Sequence, residues 1–238
     1  AFLPRHAAII LWAIGLLLNF GVELLIRRRF QELMREMNTE FKPSPAIVER
    51  FGLFTIIVLG ESVVGVMNGL GAADHWSVRS WSSFVVCMAI AFLLWWTYFE
   101  MLGERGVKSG FRNYTLLNLL HLPLFAAFAV MAPGMHLLIA GQAGAGWAGW
   151  VVAGCVAVVL CLNVFITGIL DDDPLSVGRR NNVDRYSLIA AALAVVCAVL
   201  SMALPAIAVL FLLFAVLIGL VVFCARQGAF PQLYDPPV

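Results

Sequence analysis

The stretch Glu49–Ser62, with the sequence ERFGLFTIIVLGES, decides which folds the chain can adopt. It is apolar enough to cross a lipid bilayer, yet it carries two carboxylates and one guanidinium group. A charged side chain at the centre of the hydrocarbon costs about 2.5–3.5 kcal/mol on insertion scales. Three such charges in one segment therefore indicate a membrane helix whose polar groups are stabilised by a surrounding bundle.

The composition agrees with a membrane protein. Of the 238 residues, 62% are hydrophobic and only 12% are charged, whereas ordinary globular domains carry about 25% charged residues. The five cysteines lie within apolar runs and form no C-x-x-C pair, so we expect no disulfide framework, no metal site and no cofactor. A formal net charge of +1 gives no basis for binding nucleic acid.

Seven apolar runs are long enough to span about 30 Å of hydrocarbon at about 1.5 Å per residue. They lie at 7–26, 46–67, 81–102, 114–133, 147–170, 186–204 and 206–225. Lysine and arginine concentrate after the first, third, fifth and seventh runs, while the alternate loops hold only Arg79 and the N-terminal flank only Arg5. The positive-inside rule then predicts an outside N-terminus and a cytoplasmic C-terminus. The expected fold is an all-α polytopic transmembrane bundle forming one domain over 1–238.

This topology places polar side chains of five runs in the cytoplasmic half of the bundle. They are Asn19, Glu23, Glu49, Arg50, Thr97, Tyr98, Glu100, Asn118, His121, Asn163 and Thr167. One interpretation is a water-accessible vestibule that opens to the cytoplasm, because ionisable residues inside membranes face a cavity or one another. The other is that these side chains lie near the interface, where they snorkel and pair.

Glu61 differs from this set because it lies deeper, on the outer side. At about 100° per residue, Glu61 shares a helix face with Arg50, Gly65 and Asn68. Arg50 is about 16 Å away along the axis, which is too far for a direct ion pair. Glu61 is therefore expected to be protonated, hydrogen-bonded by a neighbour, or bound to a mobile cation.

Three segments resemble the signatures of one family, the bacterial low-temperature-requirement A (LtrA) family. The first is the stretch 49–62 quoted above. The second, Trp95-Trp96-Thr97-Tyr98-Phe99-Glu100, is similar to the family's Trp-Trp-x-Tyr-Phe-Asp, with Glu where Asp is usual. The third, His121-Leu122-Pro123-Leu124, is similar to its His-x-Pro helix.

The resemblance implies a multi-pass protein of the bacterial cytoplasmic membrane that is linked to growth in the cold. It defines no biochemical activity. Family members are longer and carry an N-terminal Glu-Leu-Phe-Phe-Asp-Leu-Val-Phe-Val-like helix that is absent from this sequence. The chain is accordingly expected to be the C-terminal part of a larger bundle, or a truncated relative.

Two functional hypotheses follow, one of transport and one without it. In the first, the protein moves protons or small cations: Glu61 is the deep carboxylate of the pathway, and its gate or relay consists of Glu49, Arg50, Glu100 and His121. A supporting polar network would consist of Asn19, Glu23, Tyr98, Asn118, Asn163 and Thr167. In the second, the protein is a structural, sensory or accessory membrane component whose buried charges fix helix register.

An enzyme is not expected. The order Gly60-Glu61-Ser62 lacks the Gly-x-Ser-Gly pattern of intramembrane serine proteases, and no H-E-x-x-H is present. The expected partners are the lipid bilayer, protons or small cations, and a second copy of the chain in a homo-oligomer.

Overall fold

A computed structural model of the protein describes residues 41–44, 46–73, 75–102, 105–141, 146–171 and 177–226, together with isolated positions between 7 and 32. Side chains in the last of these ranges are described from residue 181 onward. Every described position between 7 and 32 is helical. The statements below concern these residues.

The described ranges contain six long helices and no β-strand. The helices are α1 (Ala46–Gly71), α2 (Val78–Leu102), α3 (Phe111–Ala140), α4 (Gly146–Ile169), α5 (Val177–Leu200) and α6 (Ala206–Arg226). Each is long and apolar enough to cross a membrane. The all-α polytopic bundle is thereby confirmed, while the orientation of the termini and the extent of the domain stay predictions.

Helix α3 is longer than the apolar run 114–133 that predicted it. It begins after Gly110, whose φ of 111° suits glycine, and ends at Gly141 in the left-handed conformation, where the Gly141 N–H donates to the Leu137 carbonyl. Pro123 and Pro133 lie inside it. Each removes one backbone donor, which membrane helices tolerate where neighbouring helices supply other contacts.

Helices α1 and α3 approach each other very closely. A Cβ atom added at Gly65 would lie 2.6 Å from the Ala132 carbonyl oxygen, and one added at Gly69 would lie 2.9 Å from the corresponding oxygen of His136. Small residues spaced in this way let two membrane helices come into backbone contact. In the same seam, the Ser62 hydroxyl donates to the Phe128 carbonyl at 3.1 Å.

The remaining helices extend this pair into a bundle. Helix α4 packs between α3 and α5, and α6 packs against α5 and α2. Helix α2 lies at the centre, where it contacts α1, α3, α4 and α6. Helix α1 lies at the rim, since 28% of its apolar window is buried, against 56% for α2.

The α2–α3 connection is tied to the end of α4 by backbone hydrogen bonds. The Lys108 N–H donates to the Ile169 carbonyl at 3.1 Å, and the Asp171 N–H donates to the Gly106 carbonyl at 2.8 Å. The Lys108 ammonium also donates to the Gly168 carbonyl at 3.0 Å. These bonds hold together the ends of α2, α3 and α4 that the charge pattern assigns to the cytoplasm.

Candidate functional site

A buried histidine and tyrosine meet at the junction of α2 and α3. His121 and Tyr98 are each only 1% exposed. The Nδ1 atom of His121 lies 2.8 Å from the Leu117 carbonyl oxygen, and its Nε2 atom lies 3.0 Å from the Tyr98 hydroxyl. Because a carbonyl oxygen only accepts, Nδ1 donates a hydrogen to Leu117, and in the neutral ring Nε2 then accepts the hydrogen of the phenol. Both nitrogens of the ring are thus engaged by the protein.

Residues of α1 contact both members of this pair. The Phe51 ring stacks on the His121 ring with centroids 4.2 Å apart and an interplanar angle of 26°. The Thr55 hydroxyl donates to the Phe51 carbonyl at 2.8 Å, and it lies near the Tyr98 phenol. We call Phe51, Thr55, Tyr98 and His121 the His121 cluster.

The sequence identified two members of this cluster and missed the other two. Tyr98 and His121 were predicted site residues, and the structure brings them into direct contact. Phe51 and Thr55 were not singled out, although both lie in the stretch 49–62. Their spacing of four residues on the face of α1 opposite the charges was the available signal.

Asn163 of α4 is a second buried polar group. It is fully buried, and within the described part of the chain neither its Oδ1 nor its Nδ2 atom has a hydrogen-bond partner. The Thr115 hydroxyl on α3 is buried without a hydrogen-bond partner in the same sense. An unsatisfied buried polar group costs about 1–3 kcal/mol. The amide of Asn163 can therefore donate a hydrogen bond to, and accept one from, a small polar molecule or ion.

Asn163 lies at the depth of His121. A Cβ atom added at Gly134 of α3 would contact Val152 and the backbone of Ala148, so Gly134 lies opposite the segment 148–152 of α4. The two helices are antiparallel. His121 and Asn163 are about equally far along their helices from this contact, on the side of the α2–α3 connection, and so lie at the same level. The two polar groups thus share one layer of the bundle.

Below this layer, a hydroxyl and a carboxylate join α4 to α5. The Thr167 hydroxyl lies 2.8 Å from the Val164 carbonyl oxygen and 3.1 Å from Oδ1 of Asp184. Thr167 was a predicted network residue, whereas Asp184 was missed. It precedes the apolar run 186–204, but α5 begins at Val177 and therefore carries Asp184 into the bundle.

The predicted charged residues do not join the His121 cluster. Glu49, Arg50, Glu61 and Glu100 are all exposed in the chain, and Asn118 is half-buried. Glu61 makes no hydrogen bond or ion pair with any residue that the structure describes. Its assignment as the deep carboxylate of a pathway stays a prediction, and it is an alternative to the pathway proposed below, which does not include Glu61. Asn19 and Glu23 lie outside the described residues.

Comparison with known proteins gives one match. The family described as bacterial low temperature requirement A protein (LtrA) matches residues 1–222 of the 238-residue chain. The chain belongs to this family, as its three motifs indicated, and is a multi-pass membrane protein. No curated protein and no solved structure matches it.

Proposed function

We propose that this member of the LtrA family moves protons or small cations through the layer that contains the His121 cluster and Asn163. The observation that supports this best is a fully buried imidazole, hydrogen-bonded to a phenol, inside a bundle of membrane-length helices. Polar and ionisable groups at such positions are costly, and in membrane proteins they mark ion pathways and proton relays.

The His121 cluster has the parts of a proton relay. The Tyr98 hydroxyl lies 3.0 Å from Nε2 of His121, and the Thr55 hydroxyl lies near it on α1. When the Tyr98 hydrogen turns away from Nε2, that nitrogen has a free lone pair and can take a proton from a hydronium ion in the same layer, which is left as water. The resulting imidazolium donates to the phenol oxygen, and it must pass the proton to another water before the Tyr98 hydrogen can return to Nε2. Rotation of one hydroxyl thus switches the ring between accepting and blocked states.

Asn163 supplies the neighbouring station in this proposal. Its unpaired carbonyl oxygen can bind a hydronium ion or a small cation, and its amide N–H₂ can bind the accompanying water. The Thr167–Asp184 pair lies on the α2–α3 connection side of Asn163, about one helical turn away along α4. A cation leaving Asn163 in that direction would meet the Asp184 carboxylate next.

The exposed charges at the same end would form the mouth of the pathway. Glu49 lies in the first turn of α1 and Glu100 in the last turn of α2, so both carboxylates lie at the end where the α2–α3 connection meets α4. Carboxylates around an entrance raise the local concentration of cations. If the charge pattern sets the topology, this mouth opens to the cytoplasm. The membrane would be the bacterial cytoplasmic membrane. No enzymatic step is part of the proposal.

Flux measurements on the full chain test the proposal. The purified protein would be reconstituted into proteoliposomes that contain a pH-sensitive dye, with K⁺ and Na⁺ gradients in separate runs. Wild-type protein is expected to carry a proton or cation current, and His121→Asn is expected to abolish most of it. The control is His136→Asn on the same helix, since His136 lies outside the cluster and is only half-buried.

Two results would contradict the transport proposal. One is the absence of flux above that of empty liposomes for folded wild-type protein under every gradient. The other is equal flux in the wild type and the His121→Asn variant, with both proteins monodisperse in detergent.

A second candidate is a non-transporting structural, sensory or accessory protein of cold growth. It is favoured by the fact that both nitrogens of His121 already have protein partners, as expected of a contact that only locks helices together. In that case His121→Asn would lower the unfolding temperature and leave the membrane's ion permeability unchanged. Measuring both quantities on one preparation separates the two candidates.

A further inference from the structure

One face of α1 is exposed along its whole length and has a regular spacing. Seven residues recur at alternating intervals of four and three and are all exposed: Arg50, Phe54, Ile57, Glu61, Val64, Asn68 and Gly71. We call them the outer stripe. A mean interval of 3.5 residues is the spacing with which one helix packs along another. Thr55 and Ser62, which are fully buried in the bundle, lie about 120–140° around the helix from the centre of this stripe. Gly65 lies between the two faces, at the edge where α3 approaches.

The polar residues of the outer stripe lie at membrane depth. Trp76 and Trp81, just beyond the end of α1, are 70% and 45% exposed, as is typical of the aromatic belt at a membrane boundary. Glu61 lies ten residues before Gly71, which corresponds to about 15 Å along the helix and so to the middle of the hydrocarbon. An ionisable group facing acyl chains at that depth is strongly disfavoured. The stripe is therefore a surface for protein rather than for lipid.

The first apolar run of the same chain offers Glu61 no cationic partner, since 7–26 contains no lysine or arginine. If the charge pattern sets the topology, equal counting from the two ends of the 27–45 connection brings Leu11 to the depth of Glu61. Next to Leu11 in the sequence, the one polar side-chain group is the indole N–H of Trp12.

A second copy of the chain does offer partners. Copies inserted in the same orientation align α1 in parallel, so that each stripe residue faces its own counterpart. An asparagine amide is both donor and acceptor, so Asn68 can bond with Asn68 of the other copy. Two carboxyl groups complement each other in the same way when they share a proton. Arg50 lies near the membrane surface, where its guanidinium can turn toward water.

We propose that the outer stripe of α1 is a two-fold interface between two copies of this chain, with the two Glu61 carboxyl groups hydrogen-bonded at its centre. Closed two-fold contacts use the same patch on both subunits, and the stripe has the self-complementary chemistry that this requires. Interhelical hydrogen bonds of this type stabilise the association of membrane helices, and apolar packing of Ile57 and Val64 contributes alongside. The inference depends on the exposure and depth of the stripe, and it holds whether or not the protein transports ions.

Cysteine cross-linking in native membranes tests the interface directly. Val64 on the stripe is 49% exposed, and Val195 on α5 is similarly exposed at 52%, so Val64→Cys is the probe and Val195→Cys its control. Of the five native cysteines, four are buried and Cys161 is half-buried, so the wild type reports the background. Under mild oxidation, Val64→Cys is expected to form a disulfide-linked dimer and Val195→Cys is not.

Substitution at Glu61 tests the hydrogen bond at the centre. Glutamine is both a donor and an acceptor, so Glu61→Gln is expected to stay dimeric, whereas Glu61→Lys places two cations face to face and is expected to give monomers. The mass of the detergent-solubilised protein, measured by light scattering, distinguishes the two. A monomeric wild type would overturn the proposal. Equal cross-linking at Val64→Cys and Val195→Cys would do so too, and so would an intrachain disulfide between Leu11→Cys and Val64→Cys in the double variant.

Discussion

The two faces of α1 differ sharply in what surrounds them. Ser62 is fully buried and donates a hydrogen bond to α3, while Glu61, its immediate neighbour in sequence, is exposed and has no bonding partner among the residues described. The inner face carries small residues and hydroxyls that fit closely against α3. The outer face carries a carboxylate, an amide and large apolar side chains. One stretch of sequence therefore contains two chemically different surfaces.

This difference shows that polarity alone does not identify a pathway. In a membrane, a polar side chain is tolerated when something bonds to it, and the bonding group can come from the same bundle or from another molecule. Inner-face groups bond within the chain, so their substitution should change the stability of the monomer. Outer-face groups should change association instead. The predictions that follow test this division, beginning with the largest expected effect.

The largest effect is expected at Gly65. A methyl group there would lie 2.6 Å from the Ala132 carbonyl oxygen, so Gly65→Ala forces α1 and α3 apart, with a cost of about 1–3 kcal/mol. Gly60→Ala is the matched control, because nothing lies within 4 Å of a Cβ atom at Gly60. Thermal unfolding in detergent measures both. Equal unfolding temperatures for the two variants would contradict the close approach of α1 and α3.

A change of opposite sign is expected at Asn163. Replacing it by leucine removes a fully buried amide whose polar atoms have no described partner, so Asn163→Leu should raise the free energy of unfolding by about 1–3 kcal/mol. If Asn163 also binds the transported species, the same variant loses flux while gaining stability. The unfolding temperature and the proteoliposome flux check the two effects separately. A destabilised Asn163→Leu protein would show that the amide has a partner that stabilises the fold.

A smaller loss is expected at Ser62. Its hydroxyl bond to the Phe128 carbonyl crosses from α1 to α3, and such interhelical bonds contribute about 0.6 kcal/mol in membranes. Ser62→Ala should therefore lower the unfolding temperature slightly and leave the oligomeric state unchanged. A shift to monomers in this variant, measured by light scattering, would mean that the two faces of α1 are not independent.

The smallest effect on the monomer is expected at Glu61. Glu61→Gln removes no contact within the described chain, so the free energy of unfolding should change by less than about 0.5 kcal/mol, as at other surface positions. The comparison is made under detergent conditions in which both proteins are monomers. A loss as large as that of Gly65→Ala would place Glu61 inside the bundle after all.

Much of the fold could be predicted from the sequence. The length of an apolar run and the positions of charged residues reflect the lipid and water around a helix and not its packing against other helices. The runs 147–170 and 206–225 agree with α4 and α6 to within about one residue. The ends of α3 and α5 could not be predicted in this way. Pro133 was taken as the end of a run, although α3 continues to Ala140, and the polar residues before 186 lie in the first turns of α5.

The candidate site was less accessible from the sequence, because it depends on how each helix is rotated. Tyr98 and His121 could be chosen as polar residues at one level, but their hydrogen bond requires that two faces meet. Glu61 illustrates the limit. Its depth followed from the sequence, whereas its exposure follows from the rotation of α1, which turns Ser62 and Gly69 toward α3.

The most direct test of the whole account is one flux experiment on two variants. His121→Asn changes the inner cluster, and Glu61→Gln changes the outer stripe while keeping its hydrogen-bonding capacity. With equal amounts of folded protein in proteoliposomes, the account predicts that His121→Asn lowers flux by about tenfold or more, equivalent to ~1.4 kcal/mol, while Glu61→Gln conducts like the wild type. Loss of flux in Glu61→Gln with full flux in His121→Asn would contradict it and move the pathway to the outer face of α1.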